Sequence, residues 1–307
     1  MSTQQAPLVE ATPVRTVERS RVKKQKSTLE PGSANPLVKV VLFLICVLWL
    51  IPALGLLITS IRAPDDASRS GWWTAITSPF DEAFSLNNYK EVIDAGMGSA
   101  FVNSIIVAVP ATLIPILMAA FAAYAFTFMR FPGRDVFFIA CVALLAVPLQ
   151  VAFVPLLRIF ADFGLNGTFL AVWLVHAGFG MPLAIYTLRN YMATLPFEVI
   201  ESAKVDGASH FTTFWRLIMP MAMPALAAYA IFQFLWTWND LLVALVFLGA
   251  GDNQVVTVKL AGLVGQFGQS WHLLTAGAFI SMSIPLLVFF SLQRFFVRGL
   301  TAGAVKG

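Results

Sequence analysis

Six long apolar runs separated by short polar stretches make up most of this chain. Each run is continuously apolar and does not alternate every second residue, which predicts helices and not barrel strands. Each is long enough to cross a bilayer core, which takes roughly 20 helical residues. The predicted spans are approximately residues 37–61, 98–128, 136–160, 168–188, 221–248 and 273–294. The expected fold class is an all-α integral membrane protein with six transmembrane helices.

The cationic residues are distributed unevenly between the two sides of these spans. Of the 20 Lys and Arg residues, five lie on the side opposite the chain ends, and the other fifteen lie on the side of the ends. The five are Arg62, Arg69, Lys90, Arg158 and Lys259. Because cytoplasmic loops are enriched in Lys and Arg, both termini are expected in the cytoplasm.

Composition agrees with a membrane protein, because 58% of the residues are hydrophobic and 12% are charged, against about 25% charged in soluble domains. Cys46 and Cys141 fall inside spans, so no disulfide is expected. Residues 1–36 are polar and basic and have no apolar signal-peptide core, so we interpret them as a disordered cytoplasmic tail attracted to anionic lipid. Nucleic-acid binding is disfavoured because this tail lacks aromatic residues and a fold.

Two outer stretches interrupt the spans. Residues 62–97 contain Trp72 and Trp73, which suit a membrane interface, and a short helix is expected over 87–94. Residues 249–272 are rich in glycine and are predicted to be a flexible or re-entrant loop. Either stretch could contact an outside partner or simply join helices. The predicted organisation is a tail (1–36), a first helix (37–61), an external loop (62–97), a five-helix core (98–294) with an inner loop at 190–220, and a C-terminal cytoplasmic tail (295–307).

Prolines recur inside the spans, and each one frees a backbone carbonyl that lipid cannot satisfy. They are Pro110, Pro115, Pro148, Pro155, Pro182, Pro220, Pro224 and Pro285. We expect protein groups or a water-filled cavity to satisfy the freed carbonyls. Kinked helices of this kind suit a translocation path, although they occur in other helix bundles as well.

The inner loop between the fourth and fifth spans carries a helix-turn-helix pattern. Pro196 suits the first turn of a helix, and Glu198 then lies near the positive end of the helix dipole. Gly207 follows the last periodic residue, where a left-handed turn favours glycine. The loop is either solvated filler or a docking surface for another protein.

The second helix of this pattern is predicted to begin at Ser209, whose hydroxyl can cap it. We expect this helix to be short and to lie along the membrane surface. Its apolar positions have helical spacing: Phe211, Phe214, Trp215 and Ile218.

The same loop resembles the EAA signature of importer-type ABC transporter permeases. The matching order is Glu201, Ser202, Ala203, three residues, Gly207, nine residues, then Leu217, Met219 and Pro220. Ser202, Leu217 and Met219 depart from the signature conservatively in size. Further segments, at 206–208, 214–216, 236–240 and 298–307, resemble carbohydrate permeases similar to the second membrane subunit of the maltose importer. The resemblance covers roughly residues 37–307.

This resemblance implies a type I ABC importer permease fold in a prokaryotic inner membrane. The implied partners are a sister permease subunit, a dimer of cytosolic ATPase subunits, an external sugar-binding protein and membrane lipid, with no nucleic acid. The first loop helix would be the coupling helix that inserts into the ATPase. Its implied contact residues are Glu198, Glu201, Ser202, Ala203, Asp206 and Gly207.

The resemblance also implies that the C-terminal tail reaches between the two ATPase subunits. Its glycines and small residues suit an extended, thin segment, and a frayed terminus without function is the alternative. The implied contact residues are Gly299, Leu300, Thr301, Ala302 and Gly303.

The chemistry expected of the chain itself is limited. No G-x-x-x-x-G-K-[ST] sequence occurs, so ATP and Mg²⁺ are assigned to the partner ATPase and no cofactor is expected here. His176, His210 and His272 lie in separate elements, which argues against a metal site. No nucleophile constellation is evident, and the chain is expected not to be an enzyme.

Asp240 is the one acidic residue well inside an apolar run, and ionisable residues at that depth usually face a pathway or a partner. Neighbouring Trp rings could stack on a sugar, and polar groups could accept hydrogen bonds from its hydroxyls. Alternatively, Asn239 and Asp240 could cap or lock helices, and we favour this structural interpretation slightly. The candidate path residues are Gln233, Trp236, Trp238, Asn239 and Asp240.

The sequence thus predicts a permease subunit of an ATP-driven importer that moves a carbohydrate, an oligosaccharide or glucoside, by alternating access. One alternative is an importer permease for a non-sugar solute. The other is a secondary transporter, which would need inverted repeats and several buried ionisable residues.

Overall fold

The computed structural model describes residues 35–249, 251–266 and 270–302. Within these ranges the chain is helical apart from short connections, and one isolated antiparallel bridge joins Arg62 to Phe84. The helices are α1 Pro36–Ile61, α2 Pro64–Arg69, α3 Thr74–Thr77, α4 Asn87–Val92, α5 Gly98–Phe128, α6 Arg134–Ala143, α7 Leu149–Asp162, α8 Phe169–Met192, α9 Phe197–Val205, α10 His210–Thr213, α11 Met219–Trp238, α12 Leu242–Phe247, α13 Val256–Gln266 and α14 Trp271–Ala302.

The chain divides into two compact units, Met1–Leu50 and Ile51–Gly307. In the first unit, the described residues 36–50 form the start of α1 and are exposed. In the second unit, α11 packs against α5, α8 and α14, and α5 packs most extensively against α8. Small residues allow this close approach, since Ala119, Ala120 and Ala123 of α5 are fully buried.

In the described part of the chain, five helical stretches are long and apolar enough to cross a membrane, and a sixth is obtained if a bent pair counts as one span. The prediction of one continuous third helix over 136–160 is wrong, because that region consists of this bent pair. The stretch Arg134–Ala146 and the helix Leu149–Asp162 meet at 101°. The cause is Pro148, because a residue before proline avoids the helical conformation, and Val147 is extended.

The helix after the inner loop also differs from its prediction. It is not a separate short helix, because α10, a π-helical turn at Phe214–Ile218 and α11 form one stretch, His210–Trp238. Pro220 has no N–H to donate, and the wider π turn precedes it, with the Met219 N–H bonded to the Phe214 carbonyl. The predicted fifth span therefore starts earlier, and it breaks after Trp238 before α12.

Two polar stretches are more ordered than predicted. The loop expected over 249–272 contains α13, with Val256 and Leu263 buried against the bundle. The C-terminal tail expected from residue 295 is helical up to Ala302. No proline follows Pro285 in α14, and a single helical glycine costs only about 1 kcal/mol, so the helix continues past Gly299.

At three of the prolines inside the described helices, a side chain of a neighbouring helix satisfies the carbonyl that proline leaves without a partner, as the sequence predicts. In α5, Pro110 cannot donate to the Ile106 carbonyl four residues earlier. The Trp173 indole N–H of α8 donates to that oxygen instead, at 3.0 Å. The proline site in α5 is thereby tied to α8.

A second such contact joins three helices at the centre of the bundle. Pro115 frees the Ala111 carbonyl of α5, and the Gln233 amide of α11 donates to it at 3.2 Å. The same side chain is fully buried, and its Oε1 lies 3.0 Å from the Tyr229 hydroxyl, which is 2.7 Å from the Gly180 carbonyl of α8. A Cβ at Gly180 would stand 2.6 Å from that Oε1, so only glycine leaves room for the amide.

A third contact joins α11 to α14. Pro285 frees the Ser281 carbonyl, and the Trp238 indole donates to it at 3.0 Å. The Trp238 ring stacks on Phe234 at 5.6 Å and meets Phe101 edge-on at 5.7 Å. This indole is therefore held in place on every side by the bundle.

The segment after α1 is fastened by a buried arginine. Arg62 directly follows α1, is fully buried, and pairs through Nε and Nη2 with the Glu82 carboxylate at 2.7 and 2.8 Å. Nη1 donates to the Ser70 carbonyl and Nη2 to the Asp66 carbonyl. The Asn88 amide donates to the Arg62 carbonyl, which ties α4 to the end of α1.

The proline-carbonyl contacts generate a test at Gln233. Gln233→Met keeps the side-chain length but leaves the Ala111 carbonyl unpaired, and an unsatisfied buried acceptor costs about 1–3 kcal/mol. We expect a lower thermal unfolding midpoint in detergent. Adding Pro115→Ala supplies a backbone N–H and should recover part of the loss, with Pro115→Ala alone as the control. Strictly additive effects of the two substitutions would contradict the explanation.

The Arg62 contacts generate a test of pH dependence. Hydrogen bonds from Arg62 and Thr74 hold the pKa of Glu82 below its ordinary value of 4.5. This stabilisation is fully present above that value and is lost as the pH falls through the lowered pKa. Glu82→Gln should therefore raise the rate of amide exchange in residues 62–86 roughly tenfold or more at pH 7. In this variant the local stability of the segment should no longer fall as the pH is lowered. Asp81→Asn, an exposed neighbour, is the control, and an equal response there would contradict the assignment.

Candidate functional site

The helix α9 has one face turned outward and one packed inward. Glu198, Glu201 and Ser202 are exposed, whereas Ile200 is fully buried and Ala203 is 8% exposed. The sequence groups Ala203 with the residues that contact a partner, but the structure turns it toward the chain's own core. Its small side chain lets α9 sit close to the bundle, and the other members of the set are the exposed ones.

The turn after α9 has the geometry that the sequence predicts. Gly207 is left-handed, with φ 77°, and its N–H donates to the Lys204 carbonyl at 3.0 Å. The Ala208 N–H donates to the Ala203 carbonyl at 2.9 Å, which completes a Schellman motif. The Ser209 hydroxyl accepts from the Thr212 N–H at 3.2 Å and caps α10. Asp206 and Gly207 are thus presented at an exposed, rigid corner.

The helix that follows is anchored by two of its four apolar positions. Phe214 and Ile218 are buried at 2% and 0% exposure, in one cluster with Ile200. Phe211 and Trp215 are exposed at 67% and 40%. The exposed corner is therefore fixed to the bundle by Ile200 on one side and by Phe214 and Ile218 on the other.

A cleft of about 410 Å³ separates α9 from the end of α5. Its lining combines aromatic and charged side chains: Phe128, Met129, Arg130, Phe197, Glu201, Lys204 and His210. His210 Nδ1 lies 3.0 Å from the Tyr124 hydroxyl of α5. No sequence pattern predicts this contact, because 86 residues separate the two side chains.

The C-terminal segment that is predicted to reach between the ATPase subunits does not have the extended form expected. An extended segment from Gly299 is wrong as far as Ala302, because the backbone of Gly299, Leu300, Thr301 and Ala302 is helical. Gly303 lies outside the described residues.

The predicted path residues fall into two groups. Gln233 and Trp238 are buried at 0% and 2% exposure and make the proline-carbonyl contacts described above. Their polar groups are already bonded within the bundle, so the structure gives them a structural role and not the predicted place on a path. Trp173 shares this role, and the only sequence signal for it is a proline four residues after the carbonyl that is bonded.

Trp236, Asn239 and Asp240 form the second group, near the break between α11 and α12. The Trp236 ring is partly exposed and meets the His176 ring edge-on at 5.1 Å. Asp240 Oδ2 accepts from the Ala244 N–H at 3.1 Å and lies 3.8 Å from His176 Nε2. The carboxylate thus caps the start of α12, as the structural interpretation of Asp240 expects.

Asn239 is the most accessible member of this group. Its amide donates to the Leu235 carbonyl of its own helix at 2.8 Å, and its side chain is exposed. A hydroxylated solute could therefore reach Asn239 and Trp236, but not Gln233 or Trp238, without repacking. Within the described ranges no three His, Cys, Asp or Glu side chains converge as metal ligands would.

Comparison with known families gives one match. The family described as "Binding-protein-dependent transport system inner membrane component" matches residues 111–302, which include the whole surface around α9 and both path groups.

Two relatives are similar over much of the chain. The osmoprotective compounds uptake permease protein GgtD of Synechocystis sp. is 56% identical over 88% of this chain and 91% of its own length. The alpha-glucoside transport system permease protein AglG of Rhizobium meliloti is 58% identical over 77% of this chain and 63% of its own length.

The fold is similar to that of a solved bacterial ABC transporter involved in the import of the acidic polysaccharide alginate. The TM-score is 0.67 at 20% identity, over 86% of this chain and 99% of that one. At this identity the match concerns the fold alone.

The corner at Gly207 generates a test of stability. Gly207→Ala places a side chain in the left-handed region, which costs about 1 kcal/mol or more. We expect a lower unfolding midpoint of the purified protein. Gly262→Ala, in α13 with open space around it, is the matched control and should not be destabilising. Equal losses in both variants would contradict the assigned turn.

Proposed function

Because this chain belongs to the family of binding-protein-dependent transport system inner membrane components, we propose that it is one of two permease subunits of an ABC importer for a neutral glucoside. The name of one relative, the alpha-glucoside transport system permease protein AglG, supports this substrate class. The partners proposed are a sister permease, two cytosolic ATPase subunits and an external sugar-binding protein. ATP and Mg²⁺ are bound by the ATPase.

The exposed, rigidly mounted face of α9 is the observation that carries the proposed coupling role. Glu198, Glu201 and Asp206 are exposed, and none has an ion pair within 4.0 Å in the described part of the chain. Their charges are therefore free to meet a basic groove on the ATPase. Complementary charges of this kind fix orientation and partner choice more than they add affinity.

The mounting of α9 suggests how ATP-driven motion would enter the membrane. Ile200 belongs to one buried cluster with residues of α5, α8 and α11, among them Leu188 and Ala222. Close-packed side chains transmit displacement because they compress little. A shift of α9 would therefore move the ends of three helices as one body, which alternating access requires.

The path proposed for the solute runs past the partly exposed Trp236 and Asn239. An aromatic face and an amide suit the apolar faces and hydroxyls of a sugar ring. Asp240 is occupied as a cap of α12, which favours a neutral solute over a cation. The sister subunit and the binding protein would supply the remaining contacts.

The proposed orientation places α9 in the cytoplasm of a prokaryotic cell, with both termini on the same side of the inner membrane. The distribution of Lys and Arg supports this orientation. It also places the Arg62 segment outside, where a binding protein could reach it.

The coupling role predicts a loss of transport in two variants. Gly207→Pro disrupts the corner, because proline cannot adopt a positive φ, and Glu201→Lys reverses a charge on the docking face. Both should reduce sugar uptake and sugar-stimulated ATPase activity of the assembled transporter at least roughly a hundredfold, with membrane insertion unchanged. Asp162→Lys, an equal charge reversal at an exposed site on α7, should transport normally.

Normal uptake in both α9 variants would overturn the coupling assignment. Uptake that persists without the ATPase subunit and stops when a protonophore collapses the proton gradient would instead show a secondary transporter.

A further inference from the structure

The hydrogen bond between Tyr124 and His210 crosses the cleft beside α9. Tyr124 lies one turn before the end of α5, and His210 is the first residue of α10, directly after the corner at Gly207. The hydroxyl and Nδ1 are 3.0 Å apart, and the two rings meet edge-on at 6.0 Å. Among the described residues, it is the only side-chain hydrogen bond between α5 and the stretch 197–213.

The two partners differ in how firmly they are held. Tyr124 is 4% exposed and packs against Phe128 at 5.4 Å and Phe214 at 5.5 Å between ring centres. His210 is exposed. The tyrosine ring is therefore a fixed point of the bundle, whereas the histidine can leave it without repacking the core.

The Tyr124–His210 bond lies beside a cleft that separates α9 from α5. The cleft of about 410 Å³ leaves the outer part of α9, at Phe197, Glu201 and Lys204, apart from the end of α5. Because the cleft interrupts the apolar packing between α9 and α5, a single polar contact beside it has a larger effect on the angle between the two helices. The Tyr124–His210 bond is that contact.

We propose that Tyr124 and His210 are a positioning pair that fixes the angle of the α9 corner relative to α5, so that ATPase motion reaches α5 without slippage. This inference rests on the proposed coupling role of α9. Neither residue is assigned to contact the ATPase or the solute. The pair acts through α9 and α10 alone.

The contact does not depend on which nitrogen of the imidazole carries the proton. With Nδ1 unprotonated, the Tyr124 hydroxyl donates to it, and with Nδ1 protonated, the ring donates to the hydroxyl oxygen. Tyr124→Phe therefore removes the bond in every protonation state, while it keeps the packing of the ring. His210→Asn retains a donor and an acceptor near the same position.

The test uses the complete transporter, with its sister permease, ATPase and binding protein, in proteoliposomes. Uptake of [¹⁴C]maltose and [¹⁴C]trehalose, two α-glucosides, is measured together with ATP hydrolysis. We expect Tyr124→Phe and His210→Ala each to lower the maximal uptake rate and to raise the ATP hydrolysed per sugar by roughly fivefold, the weight of one hydrogen bond in a two-state equilibrium. KM for the sugar should not change.

Three further variants separate positioning from general loosening. The double variant should be no worse than either single variant, because both remove the same bond. His210→Asn should restore most of the coupling. Tyr191→Phe is the matched control, because its hydroxyl lies at the edge of the same cluster and makes only a 3.5 Å contact with the Met221 carbonyl, and it should behave as the unmodified protein.

Wild-type coupling in Tyr124→Phe, additive losses in the double variant, an equal loss in Tyr191→Phe, or failure of Tyr124→Phe to assemble would each overturn the proposal. If Gly207→Pro and Glu201→Lys abolish uptake while the Tyr124 and His210 variants are normal, only the positioning pair fails. If those two α9 variants transport normally, the coupling role itself fails.

Discussion

The constraint that organises this bundle is that a backbone carbonyl in an apolar medium needs a donor. Three prolines, in α5 and α14, each remove a donor, and a side chain from a neighbouring helix replaces it in every case. The replacement fixes which helix must lie beside each proline and at what position along the helix. Helices in lipid have little hydrophobic reason to associate, so polar contacts of this kind weigh more in specifying their arrangement.

The same bundle carries a polar surface at one end without exposing its core. Ile200 and Ala203 of α9 face inward, and Phe214 and Ile218 hold the following turn from the other side. Between these anchors the Schellman turn at Gly207 sets the exposed corner at a fixed angle. A charged element built in this way can move only with the helices that it touches, and the proposed coupling role of α9 requires this property.

Local signals predicted local geometry well. The cap at Ser209 and the left-handed Gly207 follow from single residue types at helix ends, and both are confirmed. The kink at Pro148 was visible as a proline, but its size, 101°, depends on tertiary packing. The merging of α10 with α11 was missed because a π turn leaves no mark in hydrophobic periodicity.

The path residues show why side-chain roles are harder to predict than elements. Trp238 and Gln233 looked suited to a sugar because aromatic and amide groups bind sugars, yet the same groups are good partners for orphaned carbonyls. Deciding between the roles requires knowing which helix faces Pro115 or Pro285, and that is a tertiary fact. Asp240, by contrast, precedes a short helix in sequence, and its capping role is a local one.

The close contact between Gly180 and the Gln233 amide has a consequence for how such a chain can vary. A side chain at position 180 would occupy the space of the amide oxygen of Gln233. A shorter residue at position 233 would leave that space unfilled and the Ala111 carbonyl without a donor. Neither position can change alone without loss. The two residues lie on different helices, yet a substitution at one is tolerated only together with a compensating substitution at the other.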